Sequence, residues 1–170
     1  YKKNDITAID FTKKALSLAK KVSSKLNQKI NYKDKDFLEY KDSRNYDLVI
    51  SLGVLHHTKD CRESLKKISN FIVPGGYIYI GLYNLYSREP MLNLFRNMYF
   101  WEGERAAYNL FRRMKKSTFD EMHSYSWFRD QVLHPHETLH TLKEILPVLD
   151  SEGMRLISTS INKFEPIKHE

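Results

Sequence analysis

The 170 residues (20.3 kDa) fit one domain of ordinary size with enough chain to bury a core, and 41% hydrophobic against 29% charged residues excludes a disordered or collagen-like protein. A lone cysteine, Cys61, excludes a disulfide framework, a four-cysteine zinc site and an iron–sulfur cluster, which makes a reducing, cytoplasmic setting the expectation. Of the net charge of +7, most is N-terminal: residues 1–45 carry 12 basic against 6 acidic side chains, whereas 131–170 are net acidic. No run of about 18 apolar residues is present, so a membrane partner is not expected.

The chain opens on Tyr1 and reaches a strand-like run, Ile6 to Asp10, after a few polar residues, so it is read as starting inside a fold. A helix over 12–26 follows. Ala15, Ala19, Val22 and Leu26 recur at helical spacing as its buried stripe, leaving Lys13, Lys14, Lys20, Lys21 and Lys25 on a solvated face. Such a face also suits phosphate. Lys29 to Tyr32 reads as a second strand, completing a β-α-β unit. Tyr46 to Leu55 is an almost continuous apolar run, as in a parallel strand covered on both faces.

Leu65, Ile68 and Ile72 predict a helix ended by Pro74-Gly75-Gly76, before a strand over Tyr77 to Tyr83. Residues 86–130 then break the alternation with aromatic and basic helical segments, an insertion placed to cover a site. Thr141 and Glu144 form a capping box that opens a last helix, leading to a strand over Met154 to Ile161. This order predicts an α/β fold: an open, mostly parallel sheet with helices on both faces. Ligand sites in such sheets lie at the carboxyl ends of the strands. Asp10 there suits either ribose hydroxyls or a helix cap, and Asp36 with Phe37 suits either an adenine ring or a turn.

Two segments carry a family resemblance. YDLVISLGVLHHTKD (46–60) followed by VPGGYIYIGLYN (73–84) resembles the fourth-to-fifth-strand passage of class I S-adenosylmethionine-dependent methyltransferases, which have a Rossmann-like fold. The order of Ile6 to Leu16, Lys35 to Glu39, Ser51 to Thr58, Gly81 to Arg88 and Trp127 to Thr141 further resembles a bacterial group of small-molecule type. The resemblance implies S-adenosylmethionine as cofactor. It makes Asp10 the ribose acceptor, Phe11 an apolar neighbour, Asp36 and Phe37 the adenine contacts, and sets Ser51, Leu52 and Gly53 beside the methionine portion. It also implies a single methyltransferase domain (1–170) with a helical lid at 86–130 and a histidine-rich loop at 131–141. The family's central first strand and glycine-rich loop would precede Tyr1.

Methyl transfer to a hydroxyl needs a base, and His56 or His57, ending the fourth family strand, has the right chemistry near neutrality. Strand alternation lets one of the two reach a pocket, and His57 is the favoured one. Tyr83 and Arg88, which suit either the acceptor pocket or an anchor for the insertion, and His134, His136 and His140 are candidates for the acceptor pocket. Asp130, His134, His136, Glu137 and His140 together suit an acceptor site, helix-start structure or a divalent metal, and no metal is assigned. Cys61, at a helix start, is a poor nucleophile for cytosine-ring chemistry. The expected reaction is methylation of oxygen or nitrogen in a small molecule. The alternatives are a nucleic-acid methyltransferase or RNA-binding module using the basic N-terminal face, and a non-catalytic partner subunit.

Overall fold

The computed structural model describes residues 4–115 and 120–160. Contacts group the chain into two compact units, Tyr1–Val49 with Lys67–Tyr77, and Ile50–Lys66 with Ile78–Glu170.

The first unit is built on β1 (Thr7–Asp10), α1 (Lys13–Lys25) and β2 (Asn31–Asp34). β1 and β2 pair in parallel, in register from Thr7 opposite Asn31 to Asp10 opposite Asp34. The second strand therefore lies two residues beyond Lys29–Tyr32, because Asn31 N–H bonds to the Ile6 carbonyl (2.8 Å) and starts the ladder there. The buried stripe of α1 also differs from expectation. Leu16 and Ser23 are buried with Ala19 half-buried, whereas Ala15, Val22 and Leu26 are exposed. The helix is turned this way because Tyr32 Oη donates to the Ala19 carbonyl, and Ser23 is tolerated inside because its hydroxyl bonds the Lys20 carbonyl. The five lysines of α1 are all exposed, as read from the sequence.

Around the start of β3 (Tyr46–Leu52), Arg44 gathers Asp42, Asp5, Thr7 and Tyr46. Its guanidinium holds the Asp42 carboxyl well below the usual carboxylate range, and burial with the Asp42 bond pushes the Tyr40 phenol up to about 12. This cluster fixes the leads into β1 and β3.

β3 pairs with β4 (Ile72–Gly81) in a second two-stranded sheet. α2 (Cys61–Ser69) ends before Pro74, so Pro74-Gly75-Gly76 lies inside β4 rather than stopping the helix, and Ile72 is a strand residue. β4 is longer than β3, and within it Gly75 adopts φ +83°, a left-handed geometry open to glycine. At Gly76 a Cβ would sit 2.8 Å from Ile72 Cγ2 and 3.0 Å from the Asp47 carbonyl, so a side chain would push β3 and β4 apart there.

The second unit holds most of the buried apolar side chains. Among the described residues, 85–132 hold three helices, α3 (Leu85–Glu102), α4 (Glu104–Lys115) and α5 (Glu121–Val132), packed on one another. Their core is Phe95, Ala107, Tyr108, Phe111, Phe128 and Val132. α6 (Leu142–Ser151) starts at Thr141 with the capping box formed in both directions: Thr141 Oγ1 accepts from Glu144 N–H and Glu144 Oε2 accepts from Thr141 N–H. No strand forms over the described residues 154–160, where burial alternates over the first few residues without a ladder partner; Ile161 lies outside the described residues.

Candidate functional site

β3 ends at Leu52, three residues earlier than the apolar run suggested. Gly53 follows at φ +72°, a conformation strained for any other residue, and its N–H bonds to the Gly81 carbonyl (3.3 Å). The chain then enters a 3₁₀ turn, Leu55–His57. His56 and His57 therefore do not alternate across a strand. The turn buries His56 (1% exposed) and leaves His57 half-exposed, so His57 is the accessible one for a reason other than pleating.

The histidine-rich segment is tied to this turn by four bonds. Thr138 donates to the His56 carbonyl through both its N–H (2.8 Å) and its hydroxyl (3.1 Å). His57 Nδ1 lies 2.9 Å from the His136 carbonyl, and His136 Nε2 lies 3.0 Å from the Thr58 carbonyl. A carbonyl only accepts, so both ring nitrogens carry hydrogens. The hydroxyl of Thr138 is committed to His56, so His140 Nε2–H is the donor in its 2.8 Å bond to Thr138 Oγ1. His140 also runs parallel beside Asn84: its N–H bonds to the Tyr83 carbonyl and its carbonyl accepts from Leu85 N–H. Burial lowers the His140 pKa.

Behind the turn the rings form a stack. His56 lies 4.0 Å from Tyr83, and the Arg88 guanidinium lies 4.1 Å from the Tyr83 ring centroid. Arg88 and Glu137, 8% and 5% exposed, pair through two bonds of 3.1 and 3.0 Å. Arg88 also donates to the Gln131 carbonyl (2.6 Å), and Gln131 Nε2 donates to Tyr83 Oη. On the accessible side the His134 ring lies 3.9 Å from His57. The structure thus brings together His56, His57, Tyr83, Arg88, His134, His136 and His140, and adds Gln131, Glu137 and Thr138. Only Glu137 of those three carried a sequence signal, as one of a set of ligand types.

His56 is buried with neither ring nitrogen bonded among the described residues. Burial, then the neighbouring His57, lowers its pKa to about 4. An unfolded histidine titrates near 6.5, so between these values the unfolded chain binds more protons. The stability contributed by keeping His56 neutral is therefore fully present above about pH 6.5 and is lost as the pH falls towards 4. The melting midpoint is expected to be lower at about pH 5 than at about pH 7.5, and His56→Phe is expected to reduce the difference. Equal slopes for both proteins would contradict the assignment.

In the first unit Asp10 Oδ1 accepts from Thr12 N–H (2.6 Å) and Phe11 is 73% exposed. Asp36 Oδ1 accepts from Leu38 N–H (2.8 Å), and Asp36 and Phe37 are half-buried in a turn. In the second unit Ser51 is half-buried, Leu52 exposed, and a Cβ on Gly53 would meet nothing within 4 Å. Cys61 is buried and its thiol is pushed up to about 11 by that burial, which makes it a poor nucleophile. Asp130 accepts from Gln131 Nε2, and among the described residues no three of His, Cys, Asp and Glu converge on a metal position. No helix among those residues is long and apolar enough to cross a membrane.

A family described as "methyltransferase domain" matches residues 1–117. The fold is similar to PKMT2 from Rickettsia typhi, solved in complex with AdoHcy, with a TM-score of 0.71 and 14% identity over 89% of this chain and 34% of that one. It is also similar to a possible exported protein from Bordetella parapertussis, with a TM-score of 0.55 and 17% identity over 88% of this chain and 46% of that one. The chain thus spans about a third and about half of these two proteins. With well over half of its length matched by one family, the chain belongs to the methyltransferase domain family.

Proposed function

We propose that the chain contributes to an enzyme that transfers the methyl group of S-adenosylmethionine to an oxygen or nitrogen of a small-molecule acceptor. The observation that carries this reading is His57, half-exposed and tethered through Nδ1–H to a carbonyl, which leaves Nε2 as the proton-accepting atom. Family membership and the AdoHcy complex of the Rickettsia protein support the cofactor.

In the first unit Asp10 uses one carboxylate lone pair on Thr12, which leaves its other acceptor sites for ribose hydroxyls, and Phe11 offers an open ring face. Asp36 and Phe37 are assigned to the adenine, again with a carboxylate oxygen to spare. In the second unit Ser51, Leu52 and Gly53 are assigned to the methionine portion, where the bare Gly53 leaves room for close approach. The cofactor, when bound, supplies a methyl group activated on a sulfonium. The protein's share is to hold the acceptor atom in line with it and to take the acceptor's proton on His57 Nε2. His134 is assigned to that side, with Tyr83 and Arg88 packed behind the turn, and the buried Arg88–Glu137 pair cancels its own charge, which favours an acceptor without a strong charge of its own.

In the naturally expressed protein, Asp10→Ala is expected to weaken S-adenosylhomocysteine binding by about 1–3 kcal/mol, measured by isothermal titration. Unchanged binding removes Asp10 from the site. The exposed lysines of α1 favour a second reading, nucleic acid as the acceptor, and RNA binding that weakens steeply with salt would select it.

A further inference from the structure

We infer that His136 is a positioning residue: it fixes His57 in the Nδ1-protonated tautomer and so determines which nitrogen accepts a proton. This rests on the reading of His57 as the base, but the tautomer itself is a property of the chain that can be measured without any substrate.

The geometry is a reciprocal clasp. The His136 carbonyl receives the His57 Nδ1–H at 2.9 Å, and the His136 ring reaches back to donate Nε2–H to the carbonyl of Thr58, the residue next to His57, at 3.0 Å. Backbone of one partner is thus held by side chain of the other, in both directions. A third bond sets the loop: His136 N–H donates to His134 Nδ1 (3.3 Å), and the His134 ring packs 3.9 Å from His57, which fixes the plane of that ring. Tethering one imidazole nitrogen to an acceptor decides the protonation of the other. A neutral His57 held here therefore presents its lone pair at Nε2. Without the His136 ring, its carbonyl loses the anchor at Thr58 and the tautomer is no longer imposed. The Thr138 bonds to His56 hold the same loop by a separate route and make no contact with the His57 ring.

The test is ¹⁵N NMR of the histidine-labelled protein at a pH where His57 is neutral, reading which ring nitrogen bears hydrogen. The wild type should show His57 Nδ1–H. His136→Ala should move most of the population to Nε2–H, and His136→Gln, whose amide can donate to Thr58, should restore much of the original form. Thr138→Val, which loosens the loop without touching the clasp, should leave the tautomer unchanged. An Nε2–H wild type, an unshifted His136→Ala or a Thr138→Val protein that shifts equally would overturn the inference. If the tautomers behave as stated but His57→Gln leaves methyl transfer intact, it is the base assignment that fails, while the clasp stands.

Discussion

Glu137→Ala is expected to lower the free energy of unfolding by about 3–5 kcal/mol, the cost of leaving a buried cation without its partner. Arg88 and Glu137 have side chains only 8% and 5% exposed, so water cannot replace the missing carboxylate. The guanidinium would keep its bonds to the Gln131 carbonyl and Gln131 Oε1 and its face against Tyr83, but these neutral partners are too weak to offset the desolvation of a full charge. Replacing both members, Arg88→Met with Glu137→Leu, should recover most of the loss, because an apolar pair of similar volume carries no desolvation cost. Denaturant unfolding of the two single variants and the double variant measures this coupling directly. A Glu137→Ala protein within about 1 kcal/mol of wild type would show the pair to be hydrated in solution.

Phe128→Ala is expected to cost a similar amount, about 3–5 kcal/mol, through lost transfer energy and the cavity left behind. Phe128 is fully buried, with the rings of Phe111 at 5.5 Å, Tyr108 at 5.6 Å and Phe95 at 6.5 Å, so one deletion removes the centre of an aromatic cluster to which α3, α4 and α5 all contribute. Phe128→Leu, which keeps most of the volume, should cost clearly less. Hydrogen exchange should locate the loss in these three helices. Retained protection throughout α3–α5 in the alanine variant would mean that the neighbours collapse into the space.

The sequence made local devices readable and hid distant partners. Thr141 and Glu144 sit three apart and announce the start of α6 by themselves, and the apolar run from Tyr46 marks β3, although Leu48, Ile50 and Leu52 are exposed rather than covered on both faces as expected. Pro74-Gly75-Gly76 misled because the residues that stop a helix also build a strand irregularity, and only the pairing of β3 with β4 separates the two. The phase of α1 differs from its apolar spacing for a related reason: a serine adds nothing to an apolar pattern, yet Ser23, with its hydroxyl bonded to the Lys20 carbonyl, is buried at little cost. At the candidate site the residue types around His57 were visible, but their partners were not. Arg88 meets Glu137 across 49 positions and His57 meets His136 across 79, separations at which no periodicity survives.

The bonds from Thr138 to His56 join positions 82 apart, and that span contains α2, α3, α4 and α5. Closing a loop of this size from a disordered chain is entropically slow, although the cost grows only with the logarithm of its length. The helices inside the span make their contacts over shorter distances, and once they pack they bring the two ends of the loop closer. The histidine turn is then expected to assemble late, on helices two of which, α3 and α5, supply Arg88 and Gln131 to its surroundings. Substitutions in the aromatic cluster that slow folding will therefore delay the appearance of the site while leaving its finished geometry unchanged.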